Sequence, residues 1–153
     1  MSEAAPSISR GEGAASVPKP ALILLGRFFY VLIFLLAAPN HFTKQGISYA
    51  AAQGVPFASF GVPFTGVIAI ISSLSILLGY RAKVGAWLMA LFLVLVTPLM
   101  HKFWGVSDAN VAQVQMLMFL KNVSMLGGAL LITQFGAGPL SLDARRSANL
   151  GTR

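Results

Sequence analysis

PLMHKFWGVSDANVAQVQMLMFLKNVSMLGGALLIT, residues 98–133, opens on a polar and aromatic patch holding His101, Lys102, Trp104 and Asp108, then runs apolar with Lys121 and Asn122 in its middle. That is a costly place for a charge. On insertion scales a Lys at the membrane centre costs about 2.5 to 3.5 kcal/mol, whereas each Leu, Ile, Phe or Val returns only about 0.3 to 0.6. Residues 116–133 hold eight such residues, so insertion is close to neutral even before Asn122 is counted. A helix of this kind needs neighbours. Lys121, Ser124 and Gly128 fall on one stripe at i, i+3 and i+7 with Met125 beside them, and small residues there let a second backbone approach. The spacing therefore predicts that Lys121 faces protein rather than lipid.

Composition assigns the class. The chain has 153 residues, 56% hydrophobic and 10% charged, where a soluble domain carries about 25% charged residues. This is an all-α membrane protein with room for one small bundle. The net charge of +7 would suggest nucleic acid in a soluble chain; here the basic residues lie mostly between apolar spans, so lipid and topology account for them and no nucleic-acid partner is expected. There is no cysteine. Disulfides, thiolate metal sites and dithiol relays are excluded, and any redox chemistry must use a bound cofactor or substrate.

Along the chain, residues 1–19 are rich in Ala, Ser, Gly and Pro without apolar periodicity and read as a disordered cytoplasmic tail. The transmembrane domain is expected over residues 20–135, with spans at about 21–38, 62–79, 84–99 and 113–133, and a basic cytoplasmic tail over 136–153. The first span is too long for a signal-peptide core and is read as retained. Between spans one and two, residues 39–61 are long for a structureless loop and predict a short interfacial helix. The tetrad Gly-Val-Pro-Phe occurs there twice, at residues 54–57 and 61–64. The tight basic turn Tyr80–Lys83 makes spans two and three a helical hairpin.

Arg27 and Lys121 are ionisable groups inside apolar spans, and no Asp or Glu lies within any span. Such residues are functional candidates, here for binding an anion; the plainer account is snorkelling with hydrogen bonds to carbonyls or hydroxyls. Arg27 lies roughly 9 Å from one end of its span and Lys121 roughly 12 Å from the opposite end, at 1.5 Å per residue, so they are not expected to share a site. His41 and His101, with Asn40 and Trp104 nearby, fall after spans one and three on the other side of the membrane from the tails. An imidazole there can exchange protons with a quinol, yet two histidines without a carboxylate or thiol are an incomplete metal set, and no metal is expected. Trp104, Phe103 and Phe42 also suit an aromatic belt. Arg27, His41, His101, Trp104, Lys121 and Asn122 are thus the candidate ligand-binding residues, with no catalytic set identified.

The ordered patterns Asn40-His41-Phe42, Tyr49-Ala50-Ala51 leading to Gly54-Val55-Pro56, His101 to Gly105, Phe119-Leu120-Lys121-Asn122 with Gly127-Gly128, and Gly136 to Asp143 resemble the DoxX family of small bacterial membrane proteins. The resemblance spans about Pro20 to Asp143. It implies a four-helix bundle in the bacterial inner membrane associated with quinone-linked redox processes, with quinone as cofactor, a soluble or membrane redox partner protein, and Arg27, His101, Lys121 and Asn122 at family-like positions. Ala37-Ala38-Pro39-Asn40 departs from the Gly and Lys of more typical members. Three functions compete: a redox-associated subunit holding a quinone head near Lys121 and the His and Trp patch, a carrier for a small anion, and a non-catalytic scaffold for a soluble enzyme.

Four spans put both termini on one side, together with Arg10, Lys19, Arg81, Lys83, Arg145, Arg146 and Arg153, against Lys44 and Lys102 on the other. The positive-inside rule makes the first side cytoplasmic. A reporter fused after Arg153 is expected to be active in the cytoplasm, and periplasmic activity there would reverse the assignment.

Overall fold

The computed structural model describes residues 19–151. The expected N-terminal tail lies almost wholly outside them. Six α-helices follow in order: α1 Pro20–Ala37, α2 Lys44–Ala52, α3 Ala58–Leu78, α4 Ala82–Met100, α5 Ala109–Phe135 and α6 Leu142–Gly151. A 3-10 turn, Ala38–Phe42, extends α1. Among the described residues there is no strand, and α1 with its extension, α3, α4 and α5 are each long and apolar enough to cross a membrane. At 1.5 Å per residue the 21 residues of α3 reach about 31 Å, the thickness of a hydrocarbon core. Their outward side chains, such as Leu36, Ile71, Leu95 and Leu131, are exposed apolar groups, as lipid requires.

The bundle is assembled in chain order. α3 packs against both α1 and α4, and α4 also packs against α5. Each helix turns a narrow stripe inward: Arg27, Val31 and Phe34 on α1, spaced by four and three residues, and Gly66, Ala69, Ser73 and Ile76 on α3. Val31, Phe34, Ile76, Ala86, Met89 and Leu93 make the central core. Gly66 is where α3 meets the chain leaving α1, since a Cβ there would stand 2.6 Å from the Cβ of His41. Gly128 serves the α1–α5 seam in the same way. A Cβ on it would meet the Tyr30 ring at 2.8 Å, and the Tyr30 hydroxyl donates to the Met125 carbonyl at 3.0 Å.

The two ends of the bundle differ. At one end the α3–α4 turn, with Gly79 and Arg81 both at positive φ, is closed over by the C-terminal segment. Of the stretch expected as a basic tail, residues 136–151 fold back onto the bundle. The Asp143 carboxylate accepts hydrogen bonds from the backbone N–H of Arg81 (2.8 Å) and Ala82 (3.0 Å), and the Asp143 N–H donates to the Gly79 carbonyl at 2.8 Å. Asp143 is thus the cap of α4, supplied from sixty residues further along the chain, and Ser141 caps α6 by accepting from the Ala144 N–H at 3.1 Å. At the opposite end α2 lies under the loop between α4 and α5. Thr43 caps α2 by accepting from the Gly46 N–H at 3.0 Å, and the Lys102 ammonium donates to the Gln53 carbonyl at its far end, at 3.1 Å. α5 begins at Ala109, one turn before the expected 113, because Asp108 accepts from the Val111 N–H at 2.9 Å.

Asp143→Ala removes the acceptor of two helix-terminal N–H groups. It is expected to cost about 1 to 2 kcal/mol, read as a lower thermal midpoint in detergent; an unchanged midpoint would mean that the latch contributes nothing.

Candidate functional site

A cavity of about 620 Å³ lies at the α2 end of the bundle, lined by residues of α1, the 3-10 turn, α2, α3, α4 and α5. Most of its wall is apolar. Phe34, Phe92 and Leu93 form the inner part, while Phe64, Leu91 and Leu95, exposed by 53, 56 and 57%, carry the wall out to the side of the bundle. The cavity is therefore open laterally, toward the region that lipid occupies, and its size falls within the range of about 300 to 1,000 Å³ that small-molecule sites take.

Polar groups gather on part of this wall. Asn40, His41, Tyr49, His101, Lys121 and Asn122 all contribute to it. Each imidazole is oriented through its Nδ1. That of His41 donates to the Val62 carbonyl at 3.2 Å, with the Thr65 hydroxyl donating to the same oxygen at 2.8 Å, and the His41 ring sits 6.2 Å from that of Phe92. That of His101 donates to the Gln115 side-chain oxygen at 3.0 Å, and the Gln115 amide in turn donates to the Tyr49 hydroxyl at 3.4 Å. Because a carbonyl only accepts, Nδ1 carries the proton in the neutral ring and Nε2 is left as an acceptor. Lys121 is partly exposed, and its ammonium meets the Met118 sulfur at 3.4 Å. Asn122 is only 6% exposed, and no hydrogen bond of its side chain to the described residues is found.

Four of the six residues singled out from sequence thus share one cavity: His41, His101, Lys121 and Asn122. Arg27 and Trp104 do not line it. Arg27, 4% exposed, stands at the α6 end, where its guanidinium donates to the carbonyls of Ile76 and Leu140. Trp104 is half exposed and forms an edge-to-face cluster with Phe103 (5.2 Å between centroids) and Phe119 (6.1 Å). The stripe expected from Lys121 through Ser124 to Gly128 divides: Gly128 packs on Tyr30, whereas Ser124 is exposed and its hydroxyl donates back to the Leu120 carbonyl at 3.1 Å. Sequence reasoning missed Tyr49 and Thr65, neither of which breaks an apolar pattern. The close approach at Gly66 is the one local signal that α3 meets the His41 segment. Among the described residues no three His, Cys, Asp or Glu side chains come together as a metal set.

Comparison with known proteins corrects the family. The SURF4 family model matches residues 16–148, which overturns the DoxX resemblance. The inner membrane protein YphA of Escherichia coli is 30% identical over 129 residues, 83% of this chain and 91% of the relative, and the inner membrane protein YqjF of the same organism is 31% identical over 124 residues, 79% and 88%. The ER-derived vesicles protein ERV29 of Saccharomyces cerevisiae is 30% identical over 83 residues, which is 54% of this chain and 26% of the yeast protein. No solved structure matches. With four apolar helices and these relatives, the chain is a multi-pass inner-membrane protein in contact with the lipid bilayer.

The two intramembrane cations should respond differently to removal. Arg27→Met removes the side-chain donor to the Leu140 carbonyl and leaves the Ile76 carbonyl with the Gly79 N–H alone, and is expected to lower stability by roughly 1 to 3 kcal/mol, whereas Lys121→Met should leave the thermal midpoint in detergent unchanged or raise it. Equal losses for both variants would contradict the assignment of Arg27 to the frame and Lys121 to the cavity.

Proposed function

Because the chain belongs to the SURF4 family, we propose that it is a membrane-embedded binding protein that takes an amphiphilic small molecule into the cavity at the α2 end. The observation that carries this reading is the division of the cavity wall. Its apolar part is open to the side, and its polar part presents the side chains of His41, His101, Lys121 and Asn122. Small-molecule sites combine a mainly apolar wall with a few polar groups in the same way, the first supplying burial and the second orientation. A ligand matched to both has an apolar body and a head group that accepts hydrogen bonds. A quinone is one molecule of this kind, and the Lys121 ammonium would donate to its oxygen, although none of the relatives is named for redox chemistry.

The range of the relatives supports a role within the bilayer itself. Proteins of a bacterial inner membrane and of ER-derived yeast vesicles have lipid as their shared surroundings. Arg27 is bound to carbonyls at the other end of the bundle, its Nε is enclosed by protein, and it does not line the cavity, which weighs against an anion pathway running through both cations.

Gentle extraction followed by native mass spectrometry is expected to find a lipophilic molecule retained by the wild-type chain. Thr65→Phe, which fills the cavity, should release it. If both proteins emerge bare, or both keep the same molecule, the cavity is not the binding site.

A further inference from the structure

The chemistry of the head group can be taken further, on the reading that the cavity is the binding site. Asn122 is nine-tenths buried against the cavity, and its amide, with two donors and an acceptor, has no partner among the described residues. Its polar atoms are not among the fully enclosed partnerless ones of the described residues, which are Arg27 Nε and the Ser72 and Ser73 hydroxyls, so a molecule in the cavity can reach and satisfy them. The residue before it brings a charge to the same wall: the Lys121 ammonium has the Met118 sulfur at 3.4 Å as its protein contact, and a thioether is a weak acceptor. No carboxylate answers that charge. The two among the described residues, Asp108 and Asp143, each cap a helix, and neither lines the cavity. Next to apolar walls an ammonium is attracted to an anion far more strongly than it would be in water.

We propose that the cavity holds the anionic head of a single-chain amphiphile, a carboxylate or a phosphate monoester, with Lys121 as its counter-ion and the Asn122 amide donating a second hydrogen bond. The chain lies along the apolar wall past Phe64, Leu91 and Leu95, which is the side through which it enters from the bilayer. A cavity of about 620 Å³ accommodates one such chain rather than a whole two-chain phospholipid.

Three probes of matched length separate the possibilities: oleate, oleyl phosphate and oleyl alcohol, titrated against the purified full chain in a non-ionic detergent. The wild type is expected to bind at least one of the two anions ten-fold or more tightly than the alcohol, and the tighter of the two identifies the head group. Lys121→Met and Lys121→Gln should abolish that preference while Lys121→Arg keeps it, and Asn122→Leu should weaken anion binding several-fold. Equal binding of all three probes to the wild type, or an anion preference that survives both Lys121→Met and Lys121→Gln, overturns the anionic head and leaves the amphiphile site standing. Binding of none of them overturns both.

Discussion

A guanidinium cannot leave water without acceptors to replace it, and Arg27 finds them in the carbonyls of Ile76 and Leu140. Those two oxygens belong to different parts of the chain, the last turn of α3 and the segment after α5. One side chain on α1 therefore holds three regions together at the α6 end. The Asp143 cap on α4 and the Gly79 turn complete the same closure. Gly79 has to be glycine here: its φ is +66°, and an added Cβ would strike both the Arg27 guanidinium and the Ser141 side chain. In a bilayer, where the hydrophobic effect does not drive helices together, such polar ties and close backbone approaches carry much of the association.

The opposite end is built on another principle. There the polar groups are tied down one atom at a time: Nδ1 of each histidine is engaged, the Thr65 hydroxyl is spent on the Val62 carbonyl, and Lys102 is spent on the end of α2. What remains unspent faces the cavity. Lys121 and Asn122 break the apolar pattern of the longest helix in the bundle, yet they close no interhelical contact of the kind that Arg27 makes. The unpaired groups elsewhere among the described residues, Arg27 Nε and the Ser72 and Ser73 hydroxyls, are enclosed by protein, whereas Lys121 and Asn122 stand on the wall of the cavity, and departures from local rules of this sort are expected where function rather than folding sets the residue.

The four crossing helices were legible because lipid allows few solutions: an apolar run long enough to span must be a helix. The cavity residues on α5 were legible for the related reason that a charge and an amide in such a run stand out. The role of Arg27 was not. Its acceptors are backbone atoms 49 and 113 residues away, and backbone carbonyls leave no mark in sequence. The folding back of residues 136–151 was hidden in the same way, since Asp143 caps a helix that begins at Ala82. The family was misread because several patterns behind the resemblance are architectural. Gly136 to Asp143 forms the latch, Gly128 makes room for Tyr30, and His101 with Lys102 ties down the loop over α2. Residues recruited to close a bundle suit more than one family of four-helix membrane proteins.

The two cations are often the first residues noticed in such a chain, and the structure separates them by what surrounds each. Arg presents a planar fork of donors that can bridge two carbonyls at once, whereas Lys is a compact charge on a flexible stem. The fork is placed where two backbone oxygens converge, at the Ile76 and Leu140 carbonyls, and the flexible charge is placed on a wall that is open at the side. The exchange fails at the first site, because an ammonium cannot span the α1–α3–Leu140 junction with the same geometry. The choice of cation at each depth therefore follows from whether its partners are built into the fold, as for Arg27, or its charge is left on the cavity wall, as for Lys121.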